Sequence, residues 1–313
     1  MNMRSCVRIF LQVGIIAGGS GVGWPGGPAA MAADTAVSAP AVLRVAAVQL
    51  RSSADLRANV AKVKGFLAEC AEKKVEIAVF PECAVSGYSK EGIQTPSAAD
   101  FAAAEREIAA ACKEHSIAAI VGMPVWHDGK MFDSALIVNA RGEIVARYDK
   151  FYPTTMDRSW GFNRGSGLPP VFPVGPTLGS VMICHDSRFP ELCRLPVLAG
   201  ARVVFYVSCE AGLFKEHKMA PYRAQVQARA VENGVYVVHA NTPADEVRTG
   251  SHGQSRIVDP NGNIMQEATQ LQEEMLVADL DLSKATAEFA LETMDGAMAD
   301  WWRKALSQVP VIK

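Results

Sequence analysis

Three segments of this chain set a chemically versatile side chain at the end of a strand-like run: Val79-Phe80-Pro81-Glu82, Arg147-Tyr148-Asp149-Lys150 and Val181-Met182-Ile183-Cys184. Loops at the carboxyl ends of strands are favoured places for active sites in α/β proteins. A carboxylate, an ammonium and a thiol held together have complementary uses. The thiol, as its thiolate, attacks a carbon electrophile. The carboxylate takes the thiol proton and returns it to a leaving amine. The ammonium lowers the thiol pKa and stabilises the oxyanion of a tetrahedral intermediate. Each residue also has an ordinary structural use. A buried cysteine packs, a strand-end glutamate caps or pairs, and a lysine solvates the surface. Spacing alone brings the three to strand ends and does not make them meet.

The elements that would position them alternate. Residues 43–50, 75–80, 117–123, 179–183, 202–207, 235–240 and 275–280 are short β-rich apolar runs. Leu56, Val60, Val63, Phe66, Leu67 and Cys70 recur at helical spacing, and residues 98–115, 189–199 and 215–233 also read as helices. Residues 131–139 and 143–149 flank Ala140-Arg141-Gly142, and residues 254–258 and 264–267 flank a segment with Asn261-Gly262; both are hairpin signals. Residues 283–308 predict a helical tail. Helices alternating with strands, plus hairpins, predict a mixed α/β sheet covered by helices.

Phe80-Pro81-Glu82 with Ser86-Gly87-Tyr88, then Tyr148-Asp149-Lys150, then the block from Ile183 through Cys184-His185-Asp186-Ser187-Arg188 to Glu191, resemble the signature blocks of the nitrilase superfamily, the carbon–nitrogen hydrolases. Arg229-Ala230-Val231-Glu232-Asn233 with Tyr236-Val237-Val238 and Asn241, and Gly253-Gln254-Ser255-Arg256 leading to Asp259-Pro260 and Gly262, extend the match. The blocks run in order from about residue 43 to 282. The resemblance implies a four-layer α-β-β-α sandwich that pairs into homodimers or larger homo-oligomers. It implies Glu82 as general base and acid, Lys150 as oxyanion stabiliser and Cys184 as nucleophile, with the His185 backbone N–H helping to hold the oxyanion. It implies hydrolysis of a small amide or N-carbamoyl compound through a thioester, with no metal and no organic cofactor.

One departure stands out. Many family members carry a second glutamate shortly after the lysine, and residues 151–165 contain none. Asp157 is the nearest acid; it takes that role one methylene shorter, or it is a loop aspartate. Glu210, just past a strand in Ser208-Cys209-Glu210-Ala211-Gly212, lines the pocket or enters a helix. His185 shapes the pocket or points away. Arg188, Glu191, Arg229 and Glu232 read as structural ion pairs or sheet-end anchors. His217, His239 and His252 lack metal-like spacing. Cys184-His185-Asp186 looks more like the amidase and carbamoylase branches than true nitrilases, which carry a tryptophan and a glutamate after the cysteine. Nitrile hydrolysis is therefore the alternative. A catalytically silent ligand-binding member and a soluble acyltransferase are further readings.

The chain has 313 residues, a formal net charge of −2, 49% hydrophobic and 20% charged residues, the balance of a folded globular protein. Near-neutral charge with no basic run gives no electrostatic footprint for nucleic acid. Arg4 and Arg8 precede a short apolar stretch, and Ala30-Met31-Ala32 offers small residues for cleavage, so residues 1–32 read as an export signal and 33–42 as a linker. The expected location is the periplasm or outside the cell; a disordered extension on a cytoplasmic protein is the alternative. No apolar run after the signal reaches the ~18 residues of a membrane span. Gly21-Val22-Gly23-Trp24-Pro25-Gly26 matches a dinucleotide fingerprint without the strand and helix that give it meaning. Seven cysteines, none in a C-x-x-C pair, argue against structural zinc. The hydrolase domain is expected over 43–282 and a tail, with Trp301-Trp302 as an interface element, over 283–313.

Overall fold

A computed structural model describes residues 41–212, 219–245 and 250–313. The predicted export signal, the glycine motif at 21–26, residues 33–40 of the predicted linker and His217 lie outside the described residues. In chain order the strands are β1 (Val42–Gln49), β2 (Ile77–Val79), β3 (Ala118–His127), β4 (Lys130–Val138), β5 (Ile144–Asp149) and β6 (Val171–Val174). There follow β7 (Thr177–Ile183), β8 (Val203–Val207), β9 (Tyr236–Ala240), β10 (Arg256–Val258), β11 (Ile264–Glu267) and β12 (Glu274–Asp281). The helices are α1 (Leu56–Glu72), α2 (Lys90–Gln94), α3 (Ala98–His115), α4 (Thr155–Ser159), α5 (Glu191–Leu198), α6 (Met219–Val231), α7 (Glu288–Glu292) and α8 (Ala299–Leu306).

The strands form two six-stranded sheets, ordered β12-β1-β2-β3-β4-β5 and β11-β10-β9-β8-β7-β6. Side-chain alternation explains how they stack. Leu43, Val45 and Ala47 of β1 enter one core with Val203, Phe205 and Val207 of β8, which is the seam between the sheets. Their neighbours Ala46 and Val48 face α1 and α3 on one outside, and Val204 and Tyr206 face α5 and α6 on the other. Strands buried on both faces read as continuous apolar runs, as these do. The result is the four-layer α-β-β-α sandwich.

Local chemistry fixes the helix starts. The Asp55 carboxylate accepts from the N–H groups of Arg57 and Ala58 at the head of α1, and Ser97 and Asp100 form a capping box at α3. The six described cysteines are all free and buried; Cys70 and Cys112 are small core residues under the first sheet. The tail differs from the single helix expected. Left-handed backbone at Ala287 (φ 57°) and Gly296 (φ 82°) divides it into the short α7 and α8. It is tied back to its own chain by a bridge from Val311 to Val171 and by Val309, which packs with Leu195 and Ala201. Trp302 is packed there, whereas Trp301 is exposed. No described helix is long and apolar enough to cross a membrane.

Candidate active site

β2 and β5 run parallel within the first sheet, as do β7 and β8 within the second, and their carboxyl ends meet at one rim of the seam. Glu82 follows β2, Lys150 follows β5, Cys184 follows β7, and Cys209 with Glu210 follow β8. Glu82 stands at the junction. Its Oε1 accepts from Lys150 Nζ at 2.5 Å, and its Oε2 accepts from the backbone N–H of Cys209 at 2.7 Å. Cys209 also reaches the thiol, its carbonyl oxygen lying 3.8 Å from Cys184 Sγ. The carboxylate, ammonium and thiol therefore share one buried patch. Glu82 and Lys150 are withdrawn from solvent, and Cys184 keeps 9% of its surface.

Cys184 opens a single 3₁₀ turn, Cys184–Arg188, with φ at +41°. A non-glycine residue held there stores roughly 1–3 kcal/mol of strain and needs its surroundings to hold it. Tyr206 Oη donates to the Cys184 carbonyl at 3.1 Å and lies 2.9 Å from Glu210 Oε1. Below the turn, Asp186 accepts from Tyr148 Oη (2.8 Å), Tyr152 N–H (2.8 Å) and Phe151 N–H (3.2 Å). These bonds tie the Cys184 turn on one sheet to the segment after Lys150 on the other. Burial pushes the Asp186 carboxyl up to about 6, against those donors and Lys150.

Lys150 is ringed by acids. Besides Glu82, Asp157 Oδ2 lies 2.8 Å and Asp133 Oδ2 3.2 Å from its Nζ. The oxygens of Glu82, Asp133 and Asp157 approach within 4.8 Å of one another, spacing that would suit a cation; the ammonium supplies that positive charge itself. Burial opposes the Lys150 charge, but the surrounding anions outweigh it and hold the ammonium above its ordinary range. For Asp157, burial is outweighed by Lys150 and by hydrogen bonds, so its carboxyl is held low. For Asp133, burial and the neighbouring Glu82 and Asp157 prevail over Lys150 and push the carboxyl well up. The thiol departs from expectation. Lys150 does favour the thiolate, but burial, Glu82, Glu210 and Asp157 together raise the Cys184 pKa well above the usual thiol value. At rest the Cys184 side chain is thus held as a thiol.

Asp157 lies in a short helix rather than in a loop, and it faces Lys150. It is the third residue of α4, forming a capping box with Thr154. The same carboxylate accepts from Tyr88 Oη and from Thr154 N–H (2.6 Å) while facing Lys150. The short cap therefore carries its acid to the ammonium. A cavity of about 280 Å³ opens over Cys184, lined also by Tyr88, His185, Arg188, Glu210 and Tyr222. His185 is half-buried there, its imidazole pKa lowered by burial and by Arg188. Glu210 lines the cavity too, but its carboxylate is committed to Tyr206 and to His252 Nε2 at 2.5 Å. Burial is outweighed by His252, His239 and Arg256, which bring Glu210 down to about 2. Arg229 pairs with Glu232, as expected. Arg188 instead lies over the Tyr222 ring and among the described residues makes no ion pair. A larger hollow of about 490 Å³ between Trp126 and Trp160 contains none of these reactive groups.

Asp133, Tyr206 and the Cys209 backbone N–H are groups of this site that the sequence reading passed over. Asp133 had a signal. In β4 it shares the alternation of Ala135 and Ile137, which face the other sheet, so it is a charge at a core position. Tyr206, fully buried among apolar neighbours, required a partner for its hydroxyl. Nothing in a sequence announces a backbone amide.

The family model for carbon-nitrogen hydrolases matches residues 44–287. Over 213 residues, 67% of this chain and 89% of the relative, the chain is 28% identical to a "hydrolase in agr operon" of Staphylococcus lugdunensis. It is 26% identical to the 2-oxoglutaramate amidase of Bacillus subtilis over 229 residues, 72% of this chain and 86% of that enzyme. Among solved structures, an amidase from Nesterenkonia sp. superposes with a TM-score of 0.70 at 26% identity, covering 80% of this chain and 95% of that one. A variant of the Nesterenkonia sp. AN1 amidase carrying acrylamide on its active site cysteine superposes with a TM-score of 0.69, also at 26% identity and covering 80% of this chain and 99% of that one.

Proposed function

This chain belongs to the carbon–nitrogen hydrolase family, and we propose that it hydrolyses the C–N bond of a small amide or N-carbamoyl compound through a thioester on Cys184. The observation that carries the reading is the position of Glu82, bonded to Lys150 Nζ and, through the Cys209 peptide, adjoining the thiol. Glu82 takes the thiol proton as sulfur bonds to the carbonyl carbon. Lys150 and the His185 N–H, at the start of a 3₁₀ turn where amides lack intrahelical partners, face the developing oxyanion. The C–N bond breaks as Glu82 passes its proton to the departing nitrogen. Water then gives a proton to Glu82 and its oxygen to the acyl carbon, and the thiol leaves with that proton. Asp157 acts through Lys150, holding the ammonium in register.

A cavity of about 280 Å³ fits a small substrate. The covalent adduct on the cysteine of the Nesterenkonia amidase supports the same attacking atom here. The test is ammonia release from a panel of amides, N-carbamoyl compounds and nitriles, with Cys184→Ala beside the wild type. Turnover on amides or N-carbamoyl compounds, abolished in a folded Cys184→Ala protein, is the expected result; retained activity in that variant removes the assignment. The reading includes export with cleavage after Ala32, checked by sequencing the amino terminus of protein recovered from cells. It also includes self-association through the tail, where Met298 and Trp301 are exposed, checked by the mass in solution.

A further inference from the structure

Around Lys150 the charges do not balance. Three carboxyl groups, Glu82, Asp133 and Asp157, surround one ammonium in a patch where every one of these side chains is 1% exposed or less. With all three ionised the patch holds two uncompensated negative charges, and a buried carboxyl in that position takes up a proton instead. The geometry indicates which one does. Glu82 accepts from Lys150 and from the Cys209 N–H. Asp157 accepts from Tyr88 and Thr154 and meets Lys150 at 2.8 Å. Asp133 has no such set of donors. Its Oδ2 is buried without a hydrogen-bond donor, 3.2 Å from Lys150 Nζ but out of line for a bond. Its Oδ1 meets the Cys83 thiol at 3.9 Å. The groups facing Asp133 are thus Glu82 and Cys83 from the loop after β2, Lys150 from the end of β5 and Asp157 from α4. The Asp133 carboxyl also lies close to that of Glu82, and two carboxyls brought together can share a hydrogen bond only if one keeps its proton.

We propose that Asp133 is the protonated member of this cluster and positions Glu82 by donating a hydrogen bond to its carboxylate. The inference rests on the reading of Glu82 as general base. The resting inventory is then Cys184 thiol, Glu82 carboxylate, Asp133 carboxylic acid, Asp157 carboxylate and Lys150 ammonium, with a net charge of minus one. Glu82 carries the travelling proton in both half-reactions while Asp133 keeps its own. Asp133 therefore acts as a positioning residue that never meets substrate.

The test compares Asp133→Asn and Asp133→Ala with the wild type. Asparagine keeps a donor toward Glu82 and no charge; alanine keeps neither. Asp133→Ala is expected to lose about a hundredfold in kcat with KM little changed, and Asp133→Asn to recover about tenfold or more of that loss. The acid limb of the kcat/KM profile should move upward in Asp133→Ala and hold its place in Asp133→Asn. Were Asp133 ionised in the resting enzyme, Asp133→Asn would remove a like charge beside the base and shift that limb down by about one pH unit or more, which would overturn the proposal. A readout independent of turnover is the infrared difference spectrum of wild type minus Asp133→Asn near neutral pH. The carbonyl stretch of a protonated carboxylic acid should appear in the wild type alone. Its absence from the wild type, or its persistence in the variant, overturns the proposal even if every substrate tried is inert; an inactive wild type with the band in place would count against the proposed function only.

Discussion

Gly122 in β3 lies against the loop that carries Glu82, and giving it a side chain tests how tightly that carboxylate must be held. A Cβ built there would come 2.3 Å from the Pro81 carbonyl oxygen, 2.6 Å from Glu82 Cα and 2.9 Å from Cys83 N. All three are backbone atoms, so no flexible side-chain end can swing aside. The closest approach falls about 1 Å short of ordinary contact, and one of the two backbones must move by that amount. β3 is clamped between β2 and β4, which leaves the Pro81–Cys83 loop to yield. Glu82 is held there through its own N–H to the Ser208 carbonyl (3.3 Å) and its carboxylate to Lys150 and Cys209. Displacing it by that distance should cost about a hundredfold in kcat/KM, the usual penalty for an ångström at a reacting group. Overpacking should cost about 1–3 kcal/mol of stability. The assay is kcat/KM for Gly122→Ala on the best amide found, well below its melting temperature. It runs beside Ile108→Val, a trimming of the distant α3 core that costs about 0.5–1.5 kcal/mol. Ile108→Val should lose stability and keep its kcat/KM. A Gly122→Ala enzyme within roughly threefold of wild type would show that this backbone does not set the position of Glu82.

Iodoacetamide alkylation of Cys184 in the resting enzyme should still be rising at pH 9, because burial and the neighbouring carboxylates raise its pKa above the usual thiol value; a rate that levels off at or below about pH 8 contradicts that environment. Gly65→Ala, at an exposed position of α1 where a Cβ meets nothing within 4 Å, should stabilise the protein by about 0.5–1 kcal/mol by reducing backbone freedom in the unfolded chain. Differential scanning calorimetry should show Tm rising by about 1–2 °C, and a fall would place an unseen contact at that face.

The parts of the fold that were legible had a period long enough to read. α3 begins and ends where the alanine-rich pattern does, between Ser97 and Ser116, and the doubly buried strands announced themselves as apolar runs. The parts that were missed are short or made by single residues. β6 contains Pro173, which argues against a central strand, and β6 is an edge. α2 and α4 are five residues each, started by the caps Ser89 and Thr154, and are too short for an amphipathic pattern. β3 runs four residues past its expected end because Asp128-Gly129, both at positive φ, turn it into β4. That dipeptide is a hairpin signal, and it was readable.

The site divides along the same line. Strand ends showed where Glu82, Lys150 and Cys184 stand along the chain, but their meeting depends on the stacking of two sheets whose order interleaves distant segments. Only the resemblance supplied that step. The question raised by the missing glutamate was also beyond spacing, because the answer lies in three dimensions. A cap at Thr154 starts α4 so that Asp157 points at Lys150; on the proposed reading, the helix makes up the methylene that aspartate lacks. On that reading, backbone placement stands in for side-chain reach. On that argument Asp157→Glu is no restoration: the longer acid would crowd the ring of Lys150, Tyr88 and Thr154 that Asp157 already fills.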